Sequence, residues 1–125
     1  MLSLPPLVRI FVCLRPTEMR RSFDGLARMA SEIMEQDSLS GHLFVFGNRR
    51  GDRVKILYWD RDGYALWYKR LEQGVFRFPQ RGGDRIEVTS SELSLVLEGI
   101  DLRGVSRRRR YRRRTSKTAA SNSAA

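Results

Sequence analysis

One cysteine and one histidine are all that these 125 residues offer of the side chains that most often ligate metals or serve as nucleophile and base. A lone Cys13 excludes an internal disulfide. With His42 as its sole companion it also excludes a His/Cys zinc site within one chain. Cys13 lies in the apolar run 10–14 and reads as a buried small hydrophobe. His42 falls at a strand start with no evident partner. There is no Gly-Lys-Ser/Thr phosphate loop and no nucleophile elbow. Asp60, Asp62 and Glu72 could hold Mg²⁺, but Asp60 and Asp62 flank a tight turn, where Asp is expected for turn geometry alone. Uninterrupted apolar runs fall far short of the ~20 residues a membrane span needs. Met1-Leu2-Ser3-Leu4-Pro5-Pro6 lacks the charged-then-apolar order of a secretory signal. The chain therefore reads as a cytoplasmic, non-membrane, non-catalytic protein without a cofactor.

Acidic residues are also missing from one part of the chain. All 14 lie within residues 1–102, beside 15 of the 24 Lys and Arg, so that stretch carries +1 of the +10 net charge. The other nine cations are Arg103, Arg107 to Arg110, Arg112 to Arg114 and Lys117. This is the pattern of a nearly neutral domain, 1–102, followed by a basic tail, 103–125. The tail keeps few apolar residues and is expected to be disordered in isolation. Arg107, Arg108, Arg109, Arg110, Tyr111, Arg112, Arg113 and Arg114 put seven arginines into eight residues. Each can release a condensed counterion on meeting a phosphate, and Tyr111 could stack on a base. That density points to a polyanion partner, nucleic acid first, and to a nucleoid-associated protein; it does not distinguish DNA from RNA.

The domain alternates between two hydrophobic periods. Val8 to Leu14 reads as a buried strand. Thr17 can cap a helix, and Met19, Phe23, Leu26, Ala27, Ala30, Ile33 and Met34 form a helical stripe, predicting a helix of about 18 residues. Four strands follow at 42–47, 53–60, 64–71 and 75–79, joined by short Gly-containing connectors of the hairpin kind. Residues 85–88 suggest a further short strand. Thr89-Ser90-Ser91-Glu92 matches a capping box ahead of the stripe Leu93, Val96, Leu97 and Ile100. The expected class is α+β: an antiparallel meander of about four to five strands, one long N-terminal helix and one short C-terminal helix packed on one face, and the disordered basic tail.

Two further surfaces draw attention. In the hairpin 53–71, Lys55, Leu57, Trp59, Tyr64, Leu66, Tyr68 and Arg70 share one face, and Val54, Ile56, Tyr58, Ala65, Trp67, Lys69 and Leu71 the other. Both faces are substantially apolar. Either both are covered, by the helices or by a second copy in a homo-oligomer, or one presents aromatics beside cations for bases or a protein partner. Trp59, Trp67, Tyr68, Lys69 and Arg70 are the docking candidates. The loop 48–53 brings Arg49, Arg50 and Arg53 to a hairpin tip that could clamp a phosphate or simply be solvated. Arg50-Gly51-Asp52 spells an adhesion tripeptide, a coincidence in a cytoplasmic chain.

The wording of the chain is itself informative. Arg15-Pro16-Thr17-Glu18-Met19-Arg20-Arg21-Ser22-Phe23-Asp24-Gly25-Leu26 is followed by Ser40-Gly41-His42-Leu43-Phe44-Val45-Phe46, then by 48–60 and by Gly63-Tyr64-Ala65-Leu66-Trp67-Tyr68-Lys69-Arg70-Leu71-Glu72. Over roughly 8–101 this resembles the TnpB accessory protein of the IS-sixty-six family of bacterial insertion sequences, which is distinct from the far longer RNA-guided nuclease of the same name. The resemblance implies a small protein encoded beside a separate, larger transposase that carries the catalytic carboxylates. It implies an accessory role in DNA transposition, with DNA and the cognate transposase as partners. It carries over no catalytic or binding residue. Two positions depart from the family pattern. Glu18 stands where Asp is usual, keeping the charge, and Gly47 stands where Arg is common, thinning the basic tip.

Overall fold

The computed structural model describes residues 7–103 of the chain. Its elements are β1 (Ile10–Cys13), α1 (Phe23–Glu32), β2 (Leu43–Gly47), β3 (Arg53–Asp60), β4 (Gly63–Arg70), β5 (Arg85–Val88) and α2 (Ser90–Leu97). The strands form one mixed sheet in the order β4-β3-β2-β1-β5. The run β2-β3-β4 is the expected meander, closed at its second turn with Asp60 opposite Gly63. The rest corrects the all-antiparallel expectation. β1 lies parallel to β2, with Phe11 opposite Phe44, because α1 carries the chain back across the sheet between them. β5 then pairs antiparallel with the far side of β1.

Each central strand is buried on both faces, one helix to a face rather than both helices on one. Phe11, Cys13, Phe44, Phe46 and Leu57 pack against Leu26, Met29 and Ala30 of α1 and against Met34 beyond it. On the other face Ile10, Val12, Leu43, Val45, Val54, Ile56, Ile86 and Val88 meet Leu93 and Val96 of α2. Phe76, Phe78 and Leu102 complete that second cluster. Residues 75–79 are therefore not the fourth meander strand. The alternating Phe76 and Phe78 are buried as a strand's would be, but their segment lies over the sheet. It is tied by Phe76 N–H to the Gly51 carbonyl (2.8 Å) and by Leu102 N–H to the Arg77 carbonyl (3.0 Å).

The long N-terminal helix is corrected as well. Helix α1 has 10 residues and starts at Phe23 after Ser22, whose side chain makes no cap bond. Thr17 is no cap: it is buried, its N–H donating to the Gly47 carbonyl and its hydroxyl to the Arg15 carbonyl. The reason lies in β3. The Lys55 ammonium, 6% exposed, donates to the Met19 carbonyl (2.6 Å) and the Arg21 carbonyl (2.7 Å). Those carbonyls would serve an earlier start of the helix, so Met19 joins the stripe in sequence and not in structure. The capping box of α2 forms as expected, with the Thr89 hydroxyl accepting from Glu92 N–H and the buried Glu92 carboxylate accepting from Thr89 N–H.

The described chain ends in a clasp. Leu102 is buried, and Asp101 accepts from the Arg103 guanidinium (2.8 and 3.1 Å) and backbone N–H (3.0 Å). The guanidinium bonds, foremost, hold the Asp101 carboxyl down to about 2 from the usual 3.8. A carboxyl lowered on folding contributes stability that is present above the unfolded value and lost as pH falls through the folded one. The clasp is thus expected to hold above pH 3.8 and to open toward pH 2. An NMR titration of the Asp101 carboxyl should give a midpoint near 2, returning toward 3.8 in Arg103→Gln. A native midpoint already near 3.8 would contradict the clasp.

No helix among the described residues is long and apolar enough to cross a membrane. The arginines of 107–114 and Tyr111 lie outside the described residues.

Candidate nucleic-acid interface

Parallel strands open their carboxyl ends on the same edge of a sheet, the usual place for ligands in such architectures. In this chain β1 leaves that edge through 14–22 and β2 through 48–52. Between the two loops is a cleft of about 550 Å³. Arg20, Arg49, Arg50 and Arg53 line it against one carboxylate, Glu18. Glu18 pairs with Arg20 at 3.1 Å and Arg50 reaches Asp52 at 4.0 Å, both with strongly exposed guanidinium groups that water screens. Arg49 makes no ion pair among the described residues. The cleft is left strongly cationic, and its arginines are free to exchange weak partners for phosphate oxygens.

The tip carrying Arg49 and Arg50 is built rigidly. The Asn48 amide donates to Asp52 (2.7 Å) and its oxygen accepts from Arg53 N–H (3.0 Å). That amide bond, foremost, lowers the Asp52 carboxyl below its usual range, so Asp52 stays an acceptor. Gly51 adopts φ +80°, a left-handed turn where an added Cβ would stand 3.3 Å from Val75. Three backbone bonds tie the tip to its surroundings: Thr17 N–H to Gly47, Leu71 N–H to Asp52 and Phe76 N–H to Gly51, each 2.8 Å. Lys55 fixes the opposite wall through Met19 and Arg21, beside Arg20. Gly47 itself ends β2 with open room for a Cβ, so its lack of a side chain is no packing requirement.

A smaller pocket of about 200 Å³ adjoins the cleft and shares Pro16, Asn48, Arg49 and Arg53 with it. Its walls are about as polar as they are apolar: Val12, Val54, Phe76 and Phe78 stand beside Asn48, Gln80 and arginines. Arg15 also lines it but is held by Asp84 in two bonds of 3.0 Å. Cys13 lines it too, and burial pushes its thiol up, away from the reactive thiolate.

Arg49, Arg50 and Arg53 are thus brought together, and with them Arg20, which only the fold brings against that loop. The five docking candidates do not share a surface. Trp59, Tyr68 and Arg70 lie on the α1 side and Trp67 and Lys69 on the α2 side, as the register requires. Trp59 packs edge-to-face on Tyr64 at 5.2 Å, and Trp67 is half-buried against the second core cluster. Tyr68 is 47% exposed on the edge strand. Its ring lies 4.8 Å from the Lys55 ammonium and its hydroxyl accepts from Arg53 at 3.3 Å. Lys69 is exposed, and Arg70 pairs with Glu72 at 3.0 Å. Asp60 and Asp62 sit at the β3-β4 turn, where Asp62 N–H donates to the Asp60 carbonyl. Among the described residues no group of three or more His, Cys, Asp or Glu is arranged to hold a metal ion.

Residues 8–107 match the family described as IS66 Orf2-like protein. Two proteins of Sinorhizobium fredii (strain NBRC 101917 / NGR234) are similar over most of their length. Uncharacterized protein y4hO is 38% identical over 96 residues, 77% of this chain and 84% of the relative. Uncharacterized protein y4jC is 35% identical over 101 residues, 81% of this chain and 86% of the relative. No solved structure matches.

Proposed function

The chain belongs to the IS66 Orf2-like family of insertion-sequence-associated proteins, and we propose that it is a non-catalytic accessory factor of DNA transposition that grips DNA through the arginine cleft and the arginine run 107–114. The observation that carries this reading is the cleft: Arg20, Arg49, Arg50 and Arg53 on a pinned tip and a pinned wall, with Glu18 the one carboxylate in its lining and Asp52 4.0 Å from Arg50. The pinned backbone presents the four arginines together, and each guanidinium fork can bond a phosphate at two oxygens. Arg103, the last described residue, lies at the same end of the molecule. The Arg103 carbonyl accepts from Gln80 N–H, and Gln80 lines the inner pocket. The run supplies sequence-independent grip, and specificity falls to the domain and its partner.

A second reading has its own observation. Tyr68 and Lys69 are exposed on β4, at one end of the sheet, whose outer edge no strand covers among the described residues. That edge suits docking on the transposase. Tyr68→Ala and Lys69→Ala should weaken co-purification with it without opening the core, whereas Trp67→Ala would also remove core packing.

A nuclease footprint of purified protein on element ends, with and without transposase, tests the proposal. The expected result is protection by the protein alone at low salt, sharpened at the ends when the transposase is added. Absence of protection under both conditions would defeat the DNA-binding reading.

A further inference from the structure

We propose that the cleft and its inner pocket form one site for an unpaired nucleotide of single-stranded DNA, with phosphates on the arginines and the base in the pocket. This deepens the DNA-binding reading and rests on it. Two chemistries meet across four shared residues, Pro16, Asn48, Arg49 and Arg53. On one side are about 550 Å³ lined by four arginines, and on the other about 200 Å³ in which Val12, Val54, Phe76 and Phe78 stand beside the polar Asn48 and Gln80. An anion beside a flat apolar ring is the composition of a nucleotide. The inner volume lies below the ~300 Å³ at which drug-sized sites begin, which suits one ring system and excludes a stacked pair.

Gln80 gives the pocket a polar reader. Its amide N–H donates to the Phe78 carbonyl at 3.3 Å, which turns the nitrogen toward the backbone. Its amide oxygen makes no hydrogen bond among the described residues. It is an acceptor at hand for the exocyclic amino group of a base. A paired base keeps its ring faces inside the stack, so only an unpaired or extruded base can put its ring into the pocket. The bonds of the tip to Thr17, Leu71 and Phe76 hold the walls in place, so entry needs no closure of the loop.

The test uses the full-length protein and fluorescence anisotropy at fixed salt with three probes: a single strand, the same strand carrying several abasic sites, and the duplex. The abasic strand keeps the phosphates and removes bases, so it is expected to bind at least about fivefold more weakly than the intact strand. Gln80→Trp, at an exposed position, fills the pocket mouth and is expected to remove most of that difference. A thermal melt of the variant confirms that it folds. Equal binding of intact and abasic strands would overturn the inference and leave duplex binding standing. Binding to none of the probes would overturn the DNA reading as well. A difference that survives Gln80→Trp and vanishes in Tyr111→Ala would move base recognition to the arginine run and overturn the pocket. An RNA strand of the same sequence binding more tightly than the DNA would overturn the assignment to DNA.

Discussion

Lys55→Met is expected to lower the unfolding free energy by about 3 kcal/mol, since two hydrogen bonds from a charged donor are lost at roughly 1.5–3 kcal/mol each, with some recovery through water. Replacing a buried ion by an apolar residue of similar length is often neutral when its partner is an ion that leaves with it. Here the partners are the Met19 and Arg21 carbonyls, which remain. The Lys55 ammonium also covers one side of the Tyr68 ring, a contact that methionine keeps only in part. For a domain of this size a change of about 3 kcal/mol lowers Tm by about 12–20 °C. A thermal melt reads it directly. A fall of less than about 3 °C would mean that segment 15–22 holds itself in place. The same variant loosens the wall that carries Arg20, so stability and DNA affinity should fall together.

Lys55 also explains where the sequence could be read and where it could not. Local signals were largely faithful: the capping box of Thr89 and Glu92 and the two-residue alternation that sorts 53–70 into faces appear as expected, and the β3-β4 hairpin forms, though its turn is Arg61-Asp62 and Gly63 already opens β4. What failed depended on distant partners. The helical spacing of Met19 with Phe23 and Leu26 is real, but Lys55, more than thirty residues on, takes the carbonyls an earlier helix start would use. The alternation of Phe76 and Phe78 fits a strand, and the pattern has no way to say that the segment lies over the sheet. The parallel pair was more accessible. A strand, a helix and a second apolar run, 10–13, 23–32 and 43–47, are the order of a crossover unit, and the near-total burial of both runs is its signature. For the site, Arg49, Arg50 and Arg53 were legible because one loop holds them. Arg20 was not, because only the fold brings segment 15–22 against that loop.

The triple variant R49A/R50A/R53A is expected to weaken DNA binding more than any change outside the arginine run, and to do so without unfolding the domain. Arg49 and Arg50 are exposed, and Arg53 gives up one bond of 3.3 Å to Tyr68. Each phosphate contact contributes about 0.9 to the slope of log affinity against log salt on duplex DNA, so three lost contacts lower its magnitude by about 2.7. Replacing the seven arginines of 107–114 by glutamine in the full chain separates the two sources of grip. The remaining slope then belongs to the domain and to the two tail cations left, Arg103 and Lys117.

The most direct measurement is that slope for the seven-glutamine chain with and without R49A/R50A/R53A, taken on one duplex over a series of salt concentrations. A cleft that holds DNA predicts a clear residual slope that falls by about 2.7 when the three arginines are removed. The same slope in both proteins would contradict it and leave the arginine run as the whole of the DNA contact.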